Sequence, residues 1–144
     1  MYTFGSKSKA QLSTAHPFLQ RVMSEAIKLT DFSVLEGARS RQRQEDLFDA
    51  GKSKARPGES KHNEAPFSMA VDVAPYPIDW ENEARFFYLA GVVLGIAKVI
   101  NQGRRVQGLP EHKVRWGGDW NMNGVPIPDD PEERFRDYGH FEIA

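Results

Sequence analysis

The sequence predicts a single α+β domain in which a small antiparallel sheet packs against several helices. Three observations lead there. The chain has 144 residues, which fills one ordinary domain and leaves no room for a second, so residues 1–144 read as one unit. Apolar side chains recur at helical spacing in two long stretches, and short segments elsewhere alternate apolar with polar residues as strands do. A chain of this size buries roughly two-thirds of its unfolded surface on folding. It needs no disulfide staples, and it has no cysteine to make them.

Each element has a local reason. Ser6 is placed to cap a short first helix. Pro17 suits the first turn of a second helix running to about Leu29; Phe18, Val22, Ala26 and Leu29 repeat at helical spacing, with Leu19, Met23 and Ile27 widening the stripe. Residues 32–35 read as a short strand, which Gly37 breaks so that Arg39 emerges at its end. A helix over residues 41–50 is closed by Gly51. Residues 52–65 are rich in Lys, Ser, Pro and Gly without periodicity, and read as an exposed loop that contains His62.

Residues 69–74 alternate: Met69, Val71 and Val73 point to the core, while Ala70, Asp72 and Ala74 point away, leaving open space around the carboxylate. Asp79 can cap a long helix over residues 80–100, whose second half is apolar nearly all round and is expected between layers. Residues 114–116 form a strand that Gly117 and Gly118 end. A Pro- and Asp-rich loop then leads to a last strand over residues 140–143, with Phe141 and Ile143 toward the core and His140 and Glu142 on the other face. If the strands bearing Asp72 and His140 pair, these two side chains share one face.

The formal net charge of -1 gives no argument for a nucleic-acid or membrane partner. Charge is local instead: Lys52, Lys54, Arg56 and Lys61 form one cluster, and Asp129, Asp130, Glu132 and Glu133 another. The longest apolar stretch, residues 86–97, is interrupted by Gly91 and Gly95 and is too short to span a bilayer. The first six residues lack the basic start and apolar core of a signal peptide, so the chain is expected in the cytoplasm.

Without cysteine, any metal must be held by imidazole and carboxylate. His62, Asp72 and His140 supply three such ligands, the number a catalytic zinc takes while keeping one position open. Any one of them alone is more often a surface or hydrogen-bonded residue. Together they are harder to dismiss, because Asp72 interrupts an apolar strand and His140 opens another. His16, before a helix-starting proline, and His112, in a polar loop, have no such company and read as structural. Asp137, three positions before His140, is a candidate general base that takes a proton from water and passes it to a leaving amine. Arg39, at a strand end, is a candidate for stabilising an oxyanion.

These residues resemble the zinc D-Ala-D-Ala carboxypeptidases and phage L-alanyl-D-glutamate peptidases, which cut peptidoglycan stem peptides. The likeness spans almost the whole chain. It rests on Ser60-Lys61-His62, on Ser68-Met69-Ala70-Val71-Asp72, and on Asp137-Tyr138-Gly139-His140-Phe141-Glu142. Gly37-Ala38-Arg39-Ser40 resembles the family's strand-end arginine, and Trp116-Gly117-Gly118-Asp119-Trp120 a late tryptophan segment. The resemblance implies one catalytic zinc on His62, Asp72 and His140, with Asp137 as base, Arg39 binding substrate, and Ser60 and Glu142 supporting the ligands. Two departures stand out. The ten-residue step from His62 to Asp72 is longer than usual, and Ser68 replaces a glycine; an inserted loop over residues 63–67 is expected to absorb the length.

Compact members without a leader or wall-binding module look like endolysins of phages that infect Gram-negative hosts. The likeness therefore implies a monomeric L-alanyl-D-glutamate endopeptidase, released to the periplasm through a holin pore. Its partner is the peptidoglycan stem peptide. A D-Ala-D-Ala carboxypeptidase with the same site is the alternative within the class, and a wall-binding protein without turnover the alternative outside it. Separately, Asp119, Asn121 and Asn123, with Gly124 and then Asp130, follow part of the spacing of a calcium loop. Calcium is therefore a second candidate ion.

Overall fold

The computed structural model describes residues Met1–Ala144. Helices α1 (Ser6–Leu12) and α2 (Pro17–Ala26) lead into strand β1 (Phe32–Glu36) and helix α3 (Arg41–Asp49). A short 3-10 turn, Lys61–Asn63, precedes strand β2 (Ala70–Pro75), the long helix α4 (Glu83–Val106), and strands β3 (Val114–Gly117) and β4 (Asp137–Ile143). The four strands form one antiparallel sheet in the order β1-β2-β4-β3. The predicted α+β class is therefore what the chain adopts.

One sheet face carries the core. Val71 and Val73 of β2 and Phe141 and Ile143 of β4 pack with Leu19, Val22 and Met23 of α2 and with Leu89, Val93 and Ala97 of α4. Burying each such large side chain contributes about 1.5–3 kcal/mol. Because strand side chains alternate, the residues between them must face the other way. That second face holds Asp72, His140 and Glu142.

Several expected boundaries shift. Gly5, not Ser6, occupies the first capping position, and no side chain caps that helix. Helix α2 ends at Ala26, so Leu29 falls off the apolar stripe and is exposed. His16 caps α2, its Nδ1 accepting from the Phe18 amide at 3.0 Å, and the His112 ring lies 5.1 Å from that of Phe18. Both histidines have the structural roles expected of them.

Asp79 does not cap α4. It accepts from the Glu81 amide in a preceding turn, and the helix starts after Asn82. At its other end α4 continues to Val106, because buried Asn101 exchanges two 2.9 Å hydrogen bonds with the His112 backbone and holds the polar turns in place. The helix is not sandwiched between layers, since Tyr88, Val99 and Val106 are exposed. Ala70 and Ala74 are fully buried rather than bordering open space. No helix is long and apolar enough to cross a membrane.

Candidate active site

Asp72 and His140 are directly opposed across β2 and β4, and Ala70 faces Glu142 one step along. Pairing in this register puts Asp72, His140 and Glu142 on one face, as the alternation predicts. The separation of His140 Nδ1 from Asp72 Oδ1 is 3.1 Å. At the far side of the ring, Nε2 lies 2.9 Å from Glu142 Oε1, and Glu142 is itself paired with Arg115 at 3.0 Å. This carboxylate anchors Nε2–H, so Nδ1 is the ring nitrogen turned toward Asp72.

His62 arrives from outside the sheet. It is buried within the 3-10 turn, not exposed in a loop as its sequence context suggested. Ser60 Oγ accepts from the His62 amide, and Ser60 and Asn63 close a capping box around the turn. The turn is fastened to the end of β1: the Arg39 amide donates to His62 O at 2.8 Å, and Asn63 Nδ2 donates to Arg39 O at 3.0 Å. His62 Nδ1 donates to Gly37 O at 2.7 Å. Only glycine fits at 37, because a Cβ there would collide with Gln11 O and Thr14 Oγ1.

The long step from His62 to Asp72 is absorbed outside the site. Residues 64–67 are exposed, and the chain closes behind them where the Met69 amide donates to Lys61 O at 3.0 Å. Ser68 is fully buried, its hydroxyl bonded to Ala70 O at 2.6 Å.

With Nδ1 committed to a carbonyl, His62 Nε2 carries a lone pair. It lies 3.2 Å from Asp72 Oδ1, yet it is a buried nitrogen without a hydrogen-bond partner. Two acceptors facing each other at that distance repel unless a cation lies between them. The three ligand atoms all lie within 4.8 Å of one another. Tetrahedral zinc with bonds of about 2.0–2.1 Å spaces its ligand atoms by about 3.3 Å, close to the two separations from Asp72. The residues thus fit a metal ion.

Charge is finely divided among the four acids and bases. Burial works against the Asp72 charge, but the hydrogen bond with His140 holds its carboxyl well below the ordinary range. Burial likewise opposes a charged His140, yet hydrogen bonds with Asp72 and Glu142 raise it to about 9. In the metal-free protein a proton on His140 offsets the neighbouring carboxylates. Asp137 is pushed up, by burial first and then by the charge of Asp72.

Asp137 is in β4 itself, which begins three residues before the expected position 140. Strict alternation would put it on the face opposite His140. The β3–β4 ladder is irregular here, pairing Trp116 with Phe141 but Gly117 with Asp137. The three extra β4 residues return the carboxylate to the site face, with Oδ2 3.9 Å from His140 Nδ1. Gly117 permits this close approach, since a Cβ would meet Asp137 O.

Arg39 is nearly buried and fully engaged. Its Nε pairs with Glu36, Nη1 donates to Gln44 Oε1 at 2.9 Å, and Nη2 donates to Asp72 Oδ2 at 3.3 Å. The guanidinium therefore orients the ligand carboxylate, leaving Oδ1 toward the histidines. Glu36 and Gln44 escaped the sequence reading. A bulge between Val34 and Glu36 aligns Glu36 with Asp72, against the alternation of β1, and fully buried Gln44 lies in a helix without an apolar stripe to mark it. The Trp120 ring lies 5.4 Å from that of His140 and closes one wall of a cleft of about 590 Å³.

The predicted calcium residues do converge. Asn121 Nδ2 and Asn123 Nδ2 donate to Asp130 Oδ2 at 2.9 and 2.7 Å, while Asp119 accepts from the amides of Asn123 and Gly124. The loop is closed by its own hydrogen bonds, with amide nitrogens turned toward Asp130.

A His-Asp-His cluster assembled at a sheet face, with an adjacent carboxylate and an arginine, fits the metallopeptidase class of protein. Comparison with known proteins narrows this. The model of the phage L-alanyl-D-glutamate peptidase family matches residues 1–144, and the chain belongs to that family. It is 30% identical over 149 aligned residues to the L-alanyl-D-glutamate peptidase of Escherichia phage T5, covering 99% of this chain and 98% of that one. The crystal structure of the Serratia marcescens L-Ala D-Glu endopeptidase ChiX superposes with a TM-score of 0.67 at 29% identity, covering 99% of this chain and 90% of that one.

Proposed function

We propose that this chain is a zinc-dependent peptidoglycan endopeptidase that cleaves the L-Ala to D-Glu bond of the stem peptide, as a phage endolysin does. The facing acceptors His62 Nε2 and Asp72 Oδ1, 3.2 Å apart, carry the metal reading, and family membership supplies the bond. His62, Asp72 and His140 would hold the ion, Ser60 and Glu142 supporting the two histidines. Zinc supplies Lewis acidity toward water and the scissile carbonyl when bound.

The chain's own groups do the rest. Asp137, on the open side of the cluster, accepts a proton from the attacking water and returns it to the departing D-glutamyl amine. Its raised basicity suits that task, since burial disfavours its charged form. Arg39 holds Asp72 in place and offers positive charge to the developing oxyanion. The chain works as one domain and as a monomer, acting in the periplasm on the walls of Gram-negative hosts after holin-type release.

Mass spectra of digested sacculi test the reading. Peptides beginning with D-Glu are expected, and loss of the activity on chelation with recovery on adding zinc. Free D-Ala as the main product would assign a D-Ala-D-Ala carboxypeptidase instead; binding to sacculi without products would assign a wall-binding protein. Calcium at the loop holding Asp119, Asn121, Asn123 and Asp130 requires the two asparagines to turn their amide oxygens inward. Calorimetric titration of zinc-loaded protein reads it, and absence of heat at millimolar calcium removes it.

A further inference from the structure

The cleft does not stop at the metal cluster. A second lobe of about 460 Å³ opens on the other side of Asp72 and Asp137, sharing with the first lobe those two residues, Glu36 and Arg43. The substrate therefore has two limbs to place, one on each side of the scissile bond. The two lobes differ in chemistry.

The first lobe contains Lys52, Lys54 and Lys61, none of them in an ion pair; Lys54 Nζ rests 5.1 Å from the centre of the Phe135 ring. Of the cations in the second lobe, Arg43, which also lines the first, pairs with Glu36 at 3.4 Å, and Arg136 lies 3.9 Å from Glu83. What the second lobe offers is an aromatic surface. Trp80 is 62% exposed there, and one face of its ring is braced by buried Phe86, with centroids 5.7 Å apart and planes 23° apart. Its other face is free.

A stem peptide has matching asymmetry. Beyond the D-glutamyl nitrogen it carries free carboxylates, which suit the unpaired lysines. On the other side only L-Ala and a lactyl ether separate the scissile bond from a sugar of the glycan strand. We propose that Trp80 is the platform for that sugar, its free face stacking on the apolar C–H face of the pyranose ring next to L-Ala. The proposal rests on the endopeptidase reading and adds to it a glycan subsite and a substrate direction. A rigid, braced indole loses little freedom on binding, so its contact area converts efficiently into affinity.

The experiment compares kcat/KM on two substrates, a disaccharide-linked stem peptide and the same peptide without sugar, for the wild type, Trp80→Ala and Trp80→Phe. Wild type is expected to prefer the linked substrate. Trp80→Ala should lose roughly tenfold on it while changing by less than about twofold on the free peptide, and Trp80→Phe should keep most of the preference. Equal loss on both substrates would mean that Trp80 shapes the site rather than meets the sugar, and no loss on either would leave it without a role; both outcomes overturn the proposal. If wild type cut neither substrate between L-Ala and D-Glu, the endopeptidase reading itself would fall, and the inference with it.

Discussion

Glu142 holds His140 from behind, with Oε1 2.9 Å from Nε2, and so decides which ring nitrogen faces Asp72. Both lie on the same strand, two residues apart, and so on the same face. A buried carboxylate behind a ligand imidazole fixes its tautomer and raises its basicity.

Removing that partner should weaken the site without touching a ligand. Glu142→Ala is expected to lower zinc affinity about 10–100-fold. Glu142→Gln keeps an acceptor for Nε2–H and should lose much less. Competition against a chromophoric chelator measures both; equal affinities for the two variants would show that the carboxylate does not orient the ring.

The Asp137 carboxylate makes no hydrogen bond that the fold requires and stands in the cleft, 3.9 Å from His140 Nδ1. Asp137→Ala should therefore fold and hold zinc while kcat falls by about 10²–10⁴. Zinc content by emission spectroscopy alongside turnover separates the two effects. Full activity would mean that the base is elsewhere.

In the metal-free protein His140 is raised from 6.5 to about 9. A raised histidine contributes stability that is fully present below pH 6.5 and is lost as pH rises through about 9. A metal must displace this proton. Zinc affinity should accordingly rise with pH, by up to about tenfold per unit, and level off near the folded value. Calorimetry in buffers of different ionisation enthalpy should register about one proton released at neutral pH. A flat profile between pH 6.5 and 9 would contradict the assignment.

Gly37→Ala forces a Cβ against Gln11 O and Thr14 Oγ1. Backbone that cannot yield must shift, and overpacking of this kind costs about 1–3 kcal/mol. The same shift moves the carbonyl that fixes His62 Nδ1. Thermal unfolding should show the lost stability, and zinc affinity should fall with it. A variant as stable as wild type with unchanged affinity would show that α1 and the end of β1 can separate freely.

Much of the site was legible in the residues because strand alternation is a local property. Asp72 breaks the run Val71 and Val73, and His140 and Glu142 alternate with Phe141 and Ile143, so their common face follows from two short patterns and the pairing of their strands. The families of residues around them were less legible wherever the ladder is irregular. Glu36 reaches the site through a bulge in β1, and Asp137 through three β4 residues that have no partner in β3. Neither irregularity has a period to read. Gln44 carries no pattern at all; it is defined by the bonds it makes to Arg39, Ser53 and Ala55.

By itself, then, the sequence determined the ligand types, the strand faces and the helical stripes, since these depend on side-chain chemistry and on backbone periods of two and about 3.6. Tertiary structure alone decided that His62 is buried, that its Nε2 meets Asp72, and that Trp80 and the lysines line different lobes of the cleft around the His-Asp-His cluster. Those relations come from hydrogen bonds and close approaches between segments far apart in the chain, such as His62 to Gly37 and Asp72 to His140. Distances of that kind are set by how the sheet and helices pack, and no local pattern encodes them.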